Sequence, residues 1–412
     1  MKHTMIIALL SFVCGSLFSQ TALSGEIRPR GEFRYGYKSL PDSTSEFAAF
    51  VSQRTRLILE HSGNKFSTCI SLQDVRVWGD QKTNVDLPGT YLNQAWVELF
   101  ITDSLSLKAG RQKISYSDER LLSQTNWNQN GSSHDLLLLK LKYKGWAADF
   151  GAGFNQNQEN LFGTSYKGVD LFKTLNFLWI TRKFGQYEIH LAGIADGYQK
   201  ENYINTLYMR GTSGAELYYS KEKISAQLRG FYQTGKTKTG SDISAWFAGG
   251  YIGYSPVKAF SMQAGGEIFS GNDATDTSNR VHHAFSTLYN SNHRFLGSID
   301  YFGNPETSTK GAGLTDVFLK LKYKAGKKNT VKTEFHYFAL QNNYVFKGAT
   351  IDPFLAYEAD LEFSRKINEN VTVEAGYSIM LPSESMEVLK GGDKDEIPQW
   401  FYVMLTIKPE FL

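Results

Sequence analysis

Cysteine, proline and long apolar runs are scarce in this sequence. Among 412 residues there are 2 Cys and 9 Pro. Two cysteines build neither a disulfide framework nor a four-cysteine metal site, and a chain of this length needs no such staples to fold. No apolar run reaches the ~18 residues that mark a transmembrane helix, which excludes a helical membrane protein. The mean hydropathy of -0.35 agrees. Neither sign of charge dominates, with 44 Lys and Arg against 41 Asp and Glu. Any charge selectivity must therefore come from where the charges sit. Aromatics and glycine are abundant: 7 Trp, 23 Tyr, 28 Phe and 37 Gly. Aromatic side chains suit the pleated surface of a sheet, so the composition points to an all-β chain.

The first residues speak to compartment. Lys2 is followed by an apolar stretch from Met5 to Phe18, and no acidic residue occurs before Glu26. This is the pattern of a secretory signal peptide spanning residues 1–20, with cleavage near Ser19 or Gln20. Cys14 is a poor lipoprotein site, because Val13 precedes it where a small residue is wanted and Ser11 stands where an aliphatic one is. Cleavage would leave Cys69 as a single small wall residue and a formal charge of about +2. The remainder, 21–412, reads as one domain.

Period-two alternation recurs along the whole chain, and no long window keeps a helical period. Eighteen strand-like runs begin near Gly25, Ala49, Asn64, Tyr91, Ser104, Ser133, Gly145, Thr174, Gln186, Thr212, Glu222, Ile243, Val257, Leu314, Lys328, Phe354, Glu369 and Pro398. Their connections alternate in length. Eight are short and carry the Gly, Pro, Asn and Asp of tight hairpins, as in Ser62-Gly63-Asn64 and Ser255-Pro256. Nine are long, near 38–48, 79–90, 115–132, 156–173, 198–211, 234–242, 270–313, 341–353 and 381–397. That alternation predicts an antiparallel transmembrane β-barrel of about 18 strands in a Gram-negative outer membrane, with short periplasmic turns and long external loops. One face of every strand should meet lipid and the other a wet lumen, leaving no ordinary apolar core. In 137–144 the odd positions are apolar while Lys140, Lys142 and Lys144 share the other face. A lysine in lipid costs about 2–4 kcal/mol at the midplane, so the lysine face belongs to the lumen. The aromatic-rich last strand, Trp400 to Ile407, is the kind of signal that barrel assembly machinery reads.

The candidate functional residues are basic. Leu-Lys-Leu-Lys-Tyr-Lys occurs at 139–144 and again at 319–324. By strand count the copies stand eight strands apart, so Lys140 and Lys142 should face Lys320 and Lys322 across a pore. Lys144 and Lys324 could equally sit at the periplasmic rim. Arg28, Arg30 and Arg34 share a parity with Glu32 between them, and Arg54 and Arg56 share another. Arg76 and Arg111 end their strands. Guanidinium forks suit carboxylates, and a lumen ringed by them selects anions. The competing reading is that Arg and Glu pair and brace the wall. No catalytic site is expected: Ser133 and Asp135 point to one face of a strand and His134 to the other. His282, His283 and His293 match no metal signature, and Asp273, Asp276, Asp393, Asp395 and Glu396 read as solvated loop acids rather than a Ca²⁺ site. No cofactor or metal is expected.

Several motifs resemble the alginate-export family of outer-membrane barrels. They are Gln94-Ala-Trp-Val-Glu-Leu99, Gly110-Arg-Gln112, Asp118-Glu-Arg-Leu121, then Trp127, His134-Asp135 and the segment 285–302. The resemblance implies a monomeric eighteen-stranded barrel with an Arg- and Lys-lined constriction, to which Arg54, Arg56, Arg76, Arg111 and Arg120 carry over. It implies passage of an anionic saccharide such as a polyuronate, or of another small anionic solute. Expected partners are outer-membrane lipid, that solute and the assembly machinery, with no nucleic acid. The alternative is an adhesive or structural barrel. Loop 270–313 is far longer than an ordinary connection, so it should fold into or over the mouth.

Overall fold

A computed structural model describes residues 20–84, 89–166, 172–200, 206–278 and 280–412. The expected leader falls outside these residues, except that Gln20 already begins the first strand. The eighteen strands are β1 (Gln20–Tyr35), β2 (Ala48–Ser62), β3 (Phe66–Val77), β4 (Thr90–Phe100), β5 (Leu105–Gln112), β6 (His134–Tyr143), β7 (Trp146–Phe154), β8 (Thr174–Phe184) and β9 (Tyr187–Gln199). There follow β10 (Leu207–Lys221), β11 (Ile224–Lys236), β12 (Asp242–Val257), β13 (Phe260–Phe269), β14 (Leu314–Ala325), β15 (Asn329–Leu340), β16 (Phe354–Lys366), β17 (Val371–Pro382) and β18 (Gln399–Ile407). Each pairs antiparallel with the next, and β1 also pairs with β18, Gly31 opposite Val403, which closes the barrel. Closure removes the free edges that an open sheet would expose.

Short and long connections alternate as the sequence predicts. Two of the expected long loops are short, however. The β9–β10 connection is 200–206 and the β11–β12 connection 237–241, because their strands run further outward before turning.

The outer face is apolar. Leu57, Leu139, Leu178, Leu228, Ile252 and Leu319 are exposed along the middle of the wall. Phe66, Tyr143, Trp146, Phe184 and Tyr187 stand exposed beside the short turns, and Phe33, Phe47, Trp78, Tyr357 and Phe401 beside the long loops. These two groups are the aromatic girdles of a membrane barrel, where amphipathic rings sit at the headgroup level.

The expectation of a wholly wet interior is corrected. Towards the external end the lumen-facing side chains are apolar and buried against loop 270–313. Phe247 and Phe269 stack at 4.4 Å with Phe285 of the loop beside them, and Phe302 of the loop lies 4.5 Å from Phe338. Leu314, Leu355, Met380 and Trp400 complete this core. The strands therefore alternate lipid-facing with lumen-facing residues throughout, but the external half of the lumen face is apolar where loop 270–313 packs on it and polar elsewhere, as at Glu32 and Asp196.

Candidate functional site

Two loops enter the lumen and define the site. The first, 113–133, follows the short strand β5 and crosses the barrel as an arch. Gly110, at the outer end of β5, has φ +116, and a Cβ there would strike the Ala95 carbonyl, so only glycine lets β4 and β5 approach at this point. The arch leaves the β5 side with Tyr116, whose hydroxyl donates to Asp149 of β7 at 2.9 Å and whose ring stacks on Trp179 of β8. Asp118 then pairs with Arg229 of β11, and Arg120 with Glu267 of β13. The Arg120 guanidinium also lies 3.6 Å from the Phe295 ring centroid.

The arch turns back along the second loop. Ser123 donates its amide to the Tyr289 carbonyl and Tyr289 returns the bond to Leu121, both at 3.0 Å. Its other foot rests on β1 and β2. Arg28 donates to the carbonyls of Asn126 at 2.8 Å and Trp127 at 3.1 Å, and Arg30 donates to Trp127 at 3.0 Å. Arg54 reaches the Asn128 carbonyl at 3.3 Å and ion-pairs with Glu26. Arg56 and Gln73 reach the carbonyl of Asn130. Trp127 sits between Arg30, 4.3 Å from its ring, and His293, stacked at 4.1 Å, with Tyr402 against its edge.

Charge fixes the far foot and the second loop alike. Burial works against a charge on Asp118, but Arg229 outweighs it and holds the carboxyl below its ordinary range. On the second loop, burial of Asp300 is likewise outweighed, here by His293, at 3.0 Å.

The expected site residues divide into two groups. Arg28, Arg30, Arg34, Arg54, Arg56, Arg120, Lys140, Lys142, Lys320 and Lys322 face the lumen. Of these, Arg28, Arg30, Arg54, Arg56 and Arg120 are at least nine-tenths buried, and Arg34 is tied to Glu32 at 2.8 Å. Lys140 pairs with Glu98 at 3.0 Å, and Lys320 with Glu334. The bracing role is therefore present in the geometry.

Arg76 and Arg111 do not line the pore. Arg76 shares the parity of the lipid-facing Ile70 and Leu72, and it bonds Asp74 at 2.7 Å. Arg111 lies opposite Asp135, in line with the lipid-facing Leu137, Leu139 and Leu141, and bonds it at 3.0 Å. Both sit at the external rim, where an outward charge costs only about 0–1 kcal/mol.

The lysine copies do not face one another across a shared space either. The chord of the arch from β13 to β1 and β2 puts β14–β18 on one side and β6 on the other. A cavity of about 970 Å³ fills the first sector. Lys320 lines it, with Lys332, Glu334 and Glu362 beside it, but Lys140 does not. The acidic partners Glu26, Glu98, Glu267 and Glu334, with Arg229, are the site residues that sequence reading missed. For Glu26 the signal was the alternating Glu-x-Arg-x-Arg-x-Glu-x-Arg of residues 26–34, which sets acids on the same strand face as the arginines.

A family model described as alginate export matches residues 21–382. No curated protein matches the chain significantly. Among solved structures, Acinetobacter baumannii OccAB1 superposes with a TM-score of 0.64 at 10% identity, covering 95% of this chain and 97% of its own. Pseudomonas aeruginosa OccK8 (OprE) gives 0.63 at 10%, covering 95% and 99%. Pseudomonas aeruginosa OpdK with vanillate gives 0.61 at 10%, again covering 95% and 99%. At such identities these likenesses speak to the fold alone.

Proposed function

The chain belongs to the alginate-export family, an outer-membrane channel for small solutes, and we propose that it passes them by diffusion with a mild preference for anions. One observation carries the preference. The arginines on β1 and β2 are occupied by the arch, but several lysines near the short turns have no acidic partner. Among the described residues, Lys142, Lys322, Lys324, Lys366 and Lys408 have no carboxylate within 4.0 Å, unlike Lys140, Lys320 and Lys332. They stand at the periplasmic mouth, where unpaired cations raise the local concentration of anions. The preference is mild because the cavity, which Lys366 and Lys408 help to line, carries nine Arg and Lys and nine Asp and Glu.

Small solutes fit this geometry better than a polyuronate chain does. A polymer would have to pass an arch fixed at both feet, whereas a solute the size of the vanillate found with OpdK needs only the cavity. We further propose that the barrel works as a monomer, since closure leaves no edge to pair, and that the assembly machinery reads its aromatic last strand. We assign it no catalysis: His134 packs inward against Phe172 and Tyr289, while Asp135 points outward to Arg111. An adhesive or structural barrel is the second reading, favoured only by Leu161 and Phe162, each 93% exposed on an external loop.

The test is a reversal potential across a planar bilayer under a salt gradient. The expected sign is anion preference, reduced or reversed by Lys142→Glu with Lys322→Glu. A cation preference in the unmodified protein overturns the reading, and a folded barrel without conductance favours adhesion.

A further inference from the structure

Behind loop 270–313 lies a group of titratable side chains that the solute path does not use. Glu358 and Asp360 stand two residues apart on the lumen face of β16, 2% and 8% exposed. Glu358 accepts the Ile299 amide through Oε1 at 2.8 Å. Its carboxylate also occupies the space that a Cβ on Gly297 would need, and Gly297 has φ +78. Glycine is thus required there twice over, by conformation and by close approach. Glu358 is a latch on the loop, and the latched residues Gly297 and Ser298 line the cavity.

The latch has an unstable neighbour. Glu358 Oε2 and both oxygens of Asp360 have no hydrogen-bond donor. The imidazole that faces them is His336 of β15, opposite Glu358, but it bonds Asp316 of β14 at 2.9 Å and lies 3.6 Å from Glu334, which is opposite Asp360. Strand β17 places Met380 and Ser378 opposite the pair, neither of them ionisable. The loop adds Tyr301 and His293, and Tyr402 of β18, Lys332 and Glu362 complete the surroundings. Two desolvated carboxylates on one strand face, sharing a single facing imidazole already bonded elsewhere, cannot both carry charge cheaply.

We propose that Glu358 and Asp360 hold one proton between them, and that its loss unlatches loop 270–313 so that the channel widens as pH rises. With the proton in place, Glu358 accepts from Ile299 without repulsion from Asp360. Once it leaves, the second charge draws water to the pair, and Glu358 gives up the amide. The widening rests on the channel reading above, whereas the latch does not.

Hydrogen exchange of the Ile299 amide in the refolded protein reads the latch without any need for conductance. Comparing the natural protein with Asp360→Asn at the same pH cancels the intrinsic pH dependence of exchange. At about pH 6 the two should be equally protected, and at about pH 9 the natural protein should exchange about tenfold faster or more. Glu358→Gln keeps an acceptor but cannot ionise, so it should behave as Asp360→Asn does and carries the test if that variant fails to fold. Equal protection at both values overturns the latch. Single-channel conductance should rise with pH in the natural protein and stay flat in both variants. An exchange difference with flat conductance overturns the gating. A folded protein that shows the exchange difference but conducts at no pH overturns the channel reading instead.

Discussion

The hexapeptide Leu-Lys-Leu-Lys-Tyr-Lys is read twice by the same barrel and given two settings. In β14 its first lysine, Lys320, borders the cavity and pairs with Glu334, beside Lys332 and Glu362 paired at 2.6 Å. In β6 the matching Lys140 pairs with Glu98, which also accepts from Ser106 at 2.6 Å, on the far side of the arch. Strand geometry turns both lysines inward, for the same local reason. What they do there depends on whatever else crosses the lumen, and the arch places one of them on the large cavity and leaves the other outside it.

The largest test of this difference removes the arch clamp. Arg54→Ala strips an ion pair and several carbonyl contacts at a site 1% exposed. Breaking a buried pair of this kind typically costs about 3–5 kcal/mol. Urea unfolding in lipid should show that loss, and conductance should rise as the two sectors merge. Unchanged conductance would mean that the arch does not divide the path.

The next concerns the other foot. Asp118 is held below its ordinary range in the folded state, so its pairing with Arg229 stabilises the arch above the unfolded value, ~4, and that contribution fades as pH falls through the lowered folded value. Acid should therefore loosen the arch, and Asp118→Asn should loosen it by about 1–3 kcal/mol near neutral pH. Channel noise measured from neutral pH downward checks this: it should grow in the natural protein and be raised throughout in the variant.

A smaller effect separates the two hexapeptides directly. Lys320→Glu should shift the reversal potential towards cations by more than Lys140→Glu does, because only Lys320 borders the cavity. Equal shifts would put both lysines on one path. Smallest of all is Arg111→Ala. Its partner Asp135 is exposed on the outer rim, so the change in stability should stay within about 1 kcal/mol, with no change in reversal potential.

Much of the fold is legible in the residues because alternation is local. Leu137, Leu139 and Leu141 announce a lipid face without reference to any other strand, and short turns announce themselves by Gly, Pro and Asn. The outward placement of Arg76 and Arg111 was legible too, since Arg76 has the parity of Ile70 and Leu72, and Arg111 that of Leu105 and Leu107. Treating them as pore residues gave the charge more weight than the period. The apolar external half of the lumen was harder to see. Phe247, Phe269 and Phe338 face inward on strands whose lipid face is also apolar, and only the inserted loop explains them.

Residue order alone determined the eighteen strands, the closed barrel, the two girdles and the inward face of Lys140, Lys142, Lys320 and Lys322, because these follow from a period of two and from the cost of charge in lipid. The tertiary structure alone decided what those inward charges meet. Arg28 finds the carbonyl of Asn126, and Arg229 finds Asp118, across about a hundred residues of chain. A backbone carbonyl carries no signature in the sequence, so the arginines look like a pore lining until the loop that occupies them is seen to cross the lumen.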